Sequence, residues 1–165
     1  NKNGLNISPK RITVSTAGIG KMIKKLADDR IRFNLAISLH SADEQKRTNL
    51  MPINKKVNLI ELRDSILYFY KKTGIRITYE YILFKDVNDT ILDAEKLAKF
   101  TKITPCKINL IEYNTVDGLS FSKSSSNNTE RFINFLQQKN IITNLRRSRG
   151  KDIDAACGQL VNKLK

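Results

Sequence analysis

Two hydrophobic periods take turns along this 165-residue chain, and that alternation limits the folds open to it. Phe33, Leu35, Ile37 and Leu39 alternate with polar or small neighbours, and so do Ile75, Ile77, Tyr79, Tyr81 and Leu83. A period of two is a strand with one face buried. Between such runs the apolar residues recur at helical spacing, as in Ile19, Met22, Ile23 and Leu26, or Leu59, Leu62, Ile66 and Phe69. The pattern predicts strands over 11–15, 33–40, 75–84, 107–113 and 141–145. Helices are expected after Gly20, within 41–50, over 59–72, 91–100 and 129–138, and over 155–164. Asn58 with Glu61 three residues on reads as a capping pair, and Gly74 as the stop of that helix. Strands alternating with helices imply an α/β fold, a parallel sheet with covering helices. The pattern alone leaves both a barrel and an open doubly wound sheet in play.

At this length, with 40% hydrophobic residues, the chain can bury one sizeable core, so residues 1–165 read as one domain. No repeat or low-complexity linker divides it. Thirty Lys+Arg against 16 Asp+Glu leave a net charge of +14, which suits a polyanionic partner such as nucleic acid. The basic residues are scattered, so a solvated lysine-rich surface explains the same number. No apolar run is long enough to span a bilayer, and no membrane partner is expected. Two cysteines, Cys106 and Cys157, make no disulfide framework and fit a reducing cytoplasm. With one histidine and two distant cysteines, no zinc or iron–sulfur site can be assembled, so no metal ligand is assigned.

Candidate chemistry gathers in two places. Ser15, Ser38, His40 and Asn114 fall at or just past the C-terminal ends of predicted strands, the rim that carries active sites in parallel barrels. Each also reads singly as a strand-end cap for loose backbone groups. The second place is the run G-K-D-I-D-A-A-C-G-Q-L over 150–160, centred on Cys157. Small neighbours leave its sulfur accessible, and Arg146, Arg147, Arg149 and Lys151 upstream favour a thiolate. A small buried cysteine at a loop-to-helix junction is the plainer reading of the same residues. The serine run at 124–126 is expected to be a loop without chemistry.

Five blocks in order carry a resemblance: S-T-A-G from Ser15, A-I-S-L-H from Ala36, M-P-I-N-K-K from Met51, P-C-K-I-N-L-I from Pro105, and the closing run around Cys157. The chain is similar to the C-terminal part of the RlmN and Cfr family, the radical SAM rRNA adenosine methyltransferases. The resemblance selects a partial (β/α) radical SAM barrel. It implies S-adenosyl-L-methionine held by Ser15, Ser38, Leu39, His40 and Asn114, and Cys157 as the catalytic, methyl-carrying residue. It implies a 4Fe-4S cluster whose ligands lie outside this chain, because the family's C-x-x-x-C-x-x-C motif is absent. The resolving cysteine also lies upstream in the family, and Cys106, at a strand entrance, reads as structural. The implied activity is methylation of C2 of an adenosine in large-subunit (23S) ribosomal RNA through a methylcysteine, with transfer RNA as a second substrate. The implied partner is RNA. This chain alone is expected to be inactive, and its open sheet edge is expected to promote self-association. The alternatives are a Cfr-like enzyme acting on C8 and a non-enzymatic RNA-binding α/β module.

Overall fold

The computed structural model describes residues 7–116 and 118–147. Its strands are β1 (Thr13–Thr16), β2 (Asn34–Ser38), β3 (Ile77–Leu83), β4 (Cys106–Glu112) and β5 (Ile142–Arg146). They form one parallel sheet in the order β1-β2-β3-β4-β5. The helices between them are α1 (Gly20–Asp28), α2 (Glu44–Leu50), α3 (Leu59–Thr73), α4 (Ile91–Thr101) and α5 (Ser126–Gln138). Parallel crossovers are right-handed, so a strand order that never reverses puts every helix on the same face. A doubly wound sheet must reverse its order to cover both faces. Sequential order therefore decides for the barrel-type arrangement, and the described residues supply an open part of it.

Side-chain parity follows from this. Leu35, Ile37, Leu39, Ile77, Tyr79, Tyr81, Leu83, Ile108 and Leu110 point to the helices and are buried in a single core. That core includes Ile23 and Ala27 from α1, Leu62, Ile66 and Phe69 from α3, Leu97 from α4, and Phe132 and Leu136 from α5. The alternate residues face the concave side. In register across it stand Ser15, Ala36, Thr78 and Lys107, and one step further along Ser38, Glu80, Asn109 and Asn144. The concave face is polar, and its side chains bond across strands: Asn109 donates to Glu80 at 2.8 Å and Asn144 to Asn109 at 3.5 Å.

Local signals account for most element boundaries. Asn58 accepts from the Glu61 amide at 2.9 Å and caps α3, which ends on Gly74 at φ 66°. Thr90 and Asp93 form a complete capping box on α4. Two expectations are corrected. The first strand starts at Thr13 rather than residue 11, because Pro9–Arg11 form a 3-10 turn closed by the Ile12 amide on the Pro9 carbonyl. The serine run is built in: Ser125 caps α5 by accepting the Asn128 amide at 3.1 Å, and buried Ser124 donates to Asp89 at 2.6 Å. The helix expected over 155–164 lies outside the described residues.

Phe132 is fully buried, its ring 5.5 Å from Tyr81, whereas Ile60 is 73% exposed. Phe132→Ala is expected to lower stability by about 3–5 kcal/mol through lost burial and a residual cavity. Ile60→Ala is expected to stay within about 0.5 kcal/mol. Urea unfolding followed by circular dichroism checks both.

Candidate functional site

The C-terminal ends of the strands form a rim that a hydrogen-bonded set of loops holds in shape. β2 stops at Ser38, and His40 takes a left-handed backbone at φ 55°. The amides of Leu39 and His40 both donate to the Glu80 carbonyl, at 3.0 and 3.4 Å. Asn88, fully buried in the turn after β3, fastens this bend. Its Nδ2 donates to the carbonyls of His40 (2.7 Å) and Ile82 (2.8 Å), and its Oδ1 accepts from the Phe84 amide (2.7 Å). The Tyr81 hydroxyl donates to the Asn88 carbonyl at 2.9 Å. One side chain thus ties the ends of two strands together.

These contacts also fix the chemistry of His40. The Ile82 amide donates to Nδ1 at 3.1 Å, so that nitrogen keeps its lone pair and the proton of the neutral ring sits on Nε2. The residue keeps some exposed surface, but its ring is packed among protein atoms. Burial, and then the positive charge of Arg47, lower its pKa from 6.5 to about 4. His40 is therefore a neutral hydrogen-bond donor through Nε2 at physiological pH.

His40 and Asn114 line one rim cavity of about 390 Å³. Its walls are apolar, with Leu50, Met51, Val116 and Leu119, and an aromatic group closes one side. There the Phe84 ring lies 5.0 Å from Tyr113 and 4.6 Å from Phe121. Among the described residues the buried Tyr113 hydroxyl has no hydrogen-bond partner. The segment after β4 folds back over this end through an isolated bridge between Phe84 and Lys123 and the Lys123–Glu112 ion pair at 3.3 Å. An apolar chamber with few polar groups is the usual form of a small-molecule site.

The other expected site residues fall into distinct places. Ser15 and Ser38 share the concave face, Ser15 in register with Ala36 and Ser38 with Glu80. The Leu39 side chain belongs to the core on the opposite face. Its amide is engaged with Glu80 and its carbonyl accepts the Ser41 amide at 2.7 Å. Cys106 opens β4 at the far end from the rim, and burial raises its pKa, which keeps it a thiol. Arg146 ends β5 and faces Glu80 at 3.5 Å. Cys157, Arg149 and Lys151 lie outside the described residues, in which no cluster of three or more His, Cys, Asp and Glu fits a metal ion.

Three contributors were not singled out from the sequence: the Phe84–Tyr113–Phe121 wall, Asn88 and Met51. Phe84 and Tyr113 are the last residues of the expected strands 75–84 and 107–113, so a reading that weighed apolar as well as polar side chains at the strand ends would have found them.

Comparison with known proteins adds a second line of observation. No protein-family model matches the chain. A probable dual-specificity RNA methyltransferase RlmN of Christiangramia forsetii is 54% identical over 160 residues, 97% of this chain and 46% of that protein. The dual-specificity RNA methyltransferase RlmN of Nautilia profundicola is 42% identical over 163 residues, 99% of this chain and 46% of that protein. The chain corresponds to the C-terminal part of the RlmN family. It spans somewhat less than half the length of these RlmN relatives. Among solved structures, a radical SAM methyltransferase from Sphaerobacter thermophilus superposes with a TM-score of 0.92 at 37% identity, covering 96% of this chain and 47% of that one. A domain of a pyruvate-formate lyase-activating enzyme from Bacteroides vulgatus shares the fold, with a TM-score of 0.64 at 16% identity over 81% of this chain and 80% of that one.

The state of His40 has a measurable consequence. Its folded pKa of about 4 lies below the ordinary 6.5, so between these values the unfolded chain binds a proton that the folded chain refuses. The stability contribution is complete above pH 6.5 and is lost as pH falls toward 4, by roughly 2–3 kcal/mol. Urea unfolding at pH 7.0 and 4.5 should show a smaller drop for His40→Gln than for the parent sequence. Equal drops would place the acid sensitivity elsewhere.

Proposed function

We propose that this chain is the cofactor- and RNA-facing part of an RlmN-type radical SAM enzyme that methylates C2 of an adenosine in 23S ribosomal RNA, with transfer RNA as a second substrate. The observation that carries the reading is that His40 and Asn114, 74 positions apart in sequence, line one aromatic-walled cavity at the rim. The residues fit the adenosyl group of S-adenosylmethionine. The buried Tyr113 hydroxyl has no partner among the described residues and the His40 Nε2–H is a fixed donor, both beside flat apolar surface suited to a purine. They do not fit an iron–sulfur cluster, whose ligands the proposal assigns to a segment outside this chain.

In this reading His40 and Asn114 orient the nucleoside end of S-adenosylmethionine, while Ser15 and Ser38 offer hydroxyls to its polar groups from the concave face. Neutral donors and acceptors at separated points fix orientation without a charge that must be desolvated. Leu50, Met51 and Val116 exclude water from the same cavity. When bound and cleaved reductively, S-adenosylmethionine supplies the radical that activates a methyl group. Cys157 carries that methyl as a thioether, since sulfur both accepts a methyl from a sulfonium and holds it next to the base. Arg146 and Arg147 lead from β5 toward residue 157, and their charge suits RNA phosphates.

A polypeptide joining this chain to the N-terminal half of the Christiangramia forsetii relative provides the test. Reconstituted anaerobically with iron and sulfide and supplied with S-adenosylmethionine and 23S RNA, it should yield 2-methyladenosine by mass spectrometry of the digested RNA. The Cys157→Ala version should yield none, and neither should the 165-residue chain alone. 8-Methyladenosine would reassign the position of attack, and normal product from Cys157→Ala would overturn the role of that residue. RNA binding should weaken with salt, each phosphate neutralised adding roughly −0.7 to the log–log slope on single strands. Replacing Arg146 and Arg147 by Ala should make that slope shallower.

A further inference from the structure

Arg47 is a large charged side chain with 1% of its surface exposed, and no step above uses it. It lies on α2, between the two rim segments that carry the proposed cofactor contacts. One Nη donates to the Ala17 carbonyl at 3.0 Å, and the other donates to the Asn54 side-chain oxygen. Both acceptors are neutral, and Nε is buried with no acceptor among the described residues. Burial accordingly lowers the guanidinium pKa, against which the charge of Glu44 acts. A cation buried on such terms is costly to leave unpaired, so removing one of its partners should disturb the structure around it.

The geometry is a clasp. Asn54 sits in the Pro52–Lys55 turn and donates to Glu44 Oε1 at 2.6 Å and Thr48 at 2.8 Å. The second oxygen of Glu44 accepts the Leu59 amide at 3.0 Å, the first of α3. A continuous path therefore runs from α3 through Glu44, Asn54 and Arg47 to the carbonyl of Ala17. The turn it reaches is already closely packed. Gly18 has φ +100°, and a Cβ there would lie 3.0 Å from Leu62 and 3.2 Å from the Arg47 guanidinium; at Gly20 a Cβ would lie 2.6 Å from Ser65 Oγ. The Thr16 hydroxyl accepts the Gly18 amide at 3.1 Å. The charge of Arg47 also disfavours protonation of His40.

We propose that Arg47 is a positioning residue for cofactor binding: its fork holds the turn at residues 16–20, and with it Ser15, in fixed relation to α2, the helix that follows the β2 end carrying Ser38 and His40. The inference rests on the cofactor reading above. Its structural half is independent of that reading, because the clasp can be observed with no ligand added. A lysine keeps the charge but presents one ammonium in place of two divergent donors, so it should not span Ala17 and Asn54 together.

Hydrogen exchange by mass spectrometry on the 165-residue chain, with equilibrium dialysis against S-adenosylmethionine, tests both halves. Arg47→Lys should speed exchange over residues 16–22 by about tenfold or more while residues 126–138 change little. Leu136→Ala, a core change in α5, should do the reverse and serves as the control for general destabilisation. Asn54→Ala removes one arm of the clasp and stands in if Arg47→Lys does not fold. Uniform acceleration across the chain, or none over 16–22, overturns the proposal. Where the parent chain binds S-adenosylmethionine, Arg47→Lys should weaken it about tenfold and Leu136→Ala should not. Equal binding by Arg47→Lys with a loosened turn overturns the link to the cofactor. No binding by the parent chain, with the turn loosened as expected, sinks the cofactor reading and leaves the clasp supported.

Discussion

A parallel sheet whose strands keep their sequence order can be covered by its own helices on one face only, and the molecule follows from that restriction. Every crossover has the same hand, so α1, α3, α4 and α5 contribute to one core with the helix-facing strand residues. The opposite face must then meet water, a ligand or another part of a barrel. Its composition suits that position: Ser15, Ser38, Thr78, Glu80, Asn109 and Asn144 replace the Val, Leu and Ile that a doubly covered strand would show. The cross-strand bonds Asn109–Glu80 and Asn144–Asn109 satisfy part of this polar surface internally.

Because the core is one-sided, precision at the rim cannot come from packing across the sheet. It comes from polar side chains that bridge loops. Asn88 joins the ends of β2 and β3 with three hydrogen bonds, and Arg47 joins the turn after β1 to α2 and, through Glu44, to α3. Asp89 extends the lattice by accepting from the Asp86 amide and Ser124, which draws in the start of α5. Each is a buried polar group with defined partners, and such groups hold geometry because an alternative arrangement would leave them unsatisfied. His40 shows the effect on chemistry: one backbone amide on Nδ1 sets the tautomer, and the neighbouring cation opposes protonation.

The fold was legible because its signals are local and periodic. Alternation over 75–83 and the spacing of Leu59, Leu62, Ile66 and Phe69 each report burial along a single element, and Asn58 and Gly74 mark the ends of α3 by their own chemistry. The rim residues were legible as positions, since strand ends can be counted. Their roles were less so. Arg47 falls in a polar stretch, E-Q-K-R-T-N, where nothing separates it from its solvated neighbours. Its burial arises from α3 and the turn after β1 closing over it, which no window of sequence contains. Ser124 was misread for the same reason, since its partner Asp89 lies 35 positions away.

Among the described residues, β1 and β5 form the two edges of the sheet. Val14 on β1 and Ile142 on β5 are 37% and 49% exposed, and Ile12 and Met22 flank the first of them. The interior needs no such addition: Ile23, Leu35, Ile66, Tyr79 and Phe132 are fully buried within the chain itself. Unpaired strand edges and isolated apolar side chains cost little beside a core of that extent, because the exposed area is small and the edge groups can bond to water. A chain that spans less than half the length of its RlmN relatives thus buries this core within its own described residues. What a neighbouring strand would add at β1 is pairing for Thr13–Thr16, the strand that carries Ser15 and leads into the turn held by Arg47. The clasp proposed for Arg47 and any strand that pairs with β1 would act on the same segment, so residues 13–20 are where pairing at this edge and ordering of the proposed site would be coupled.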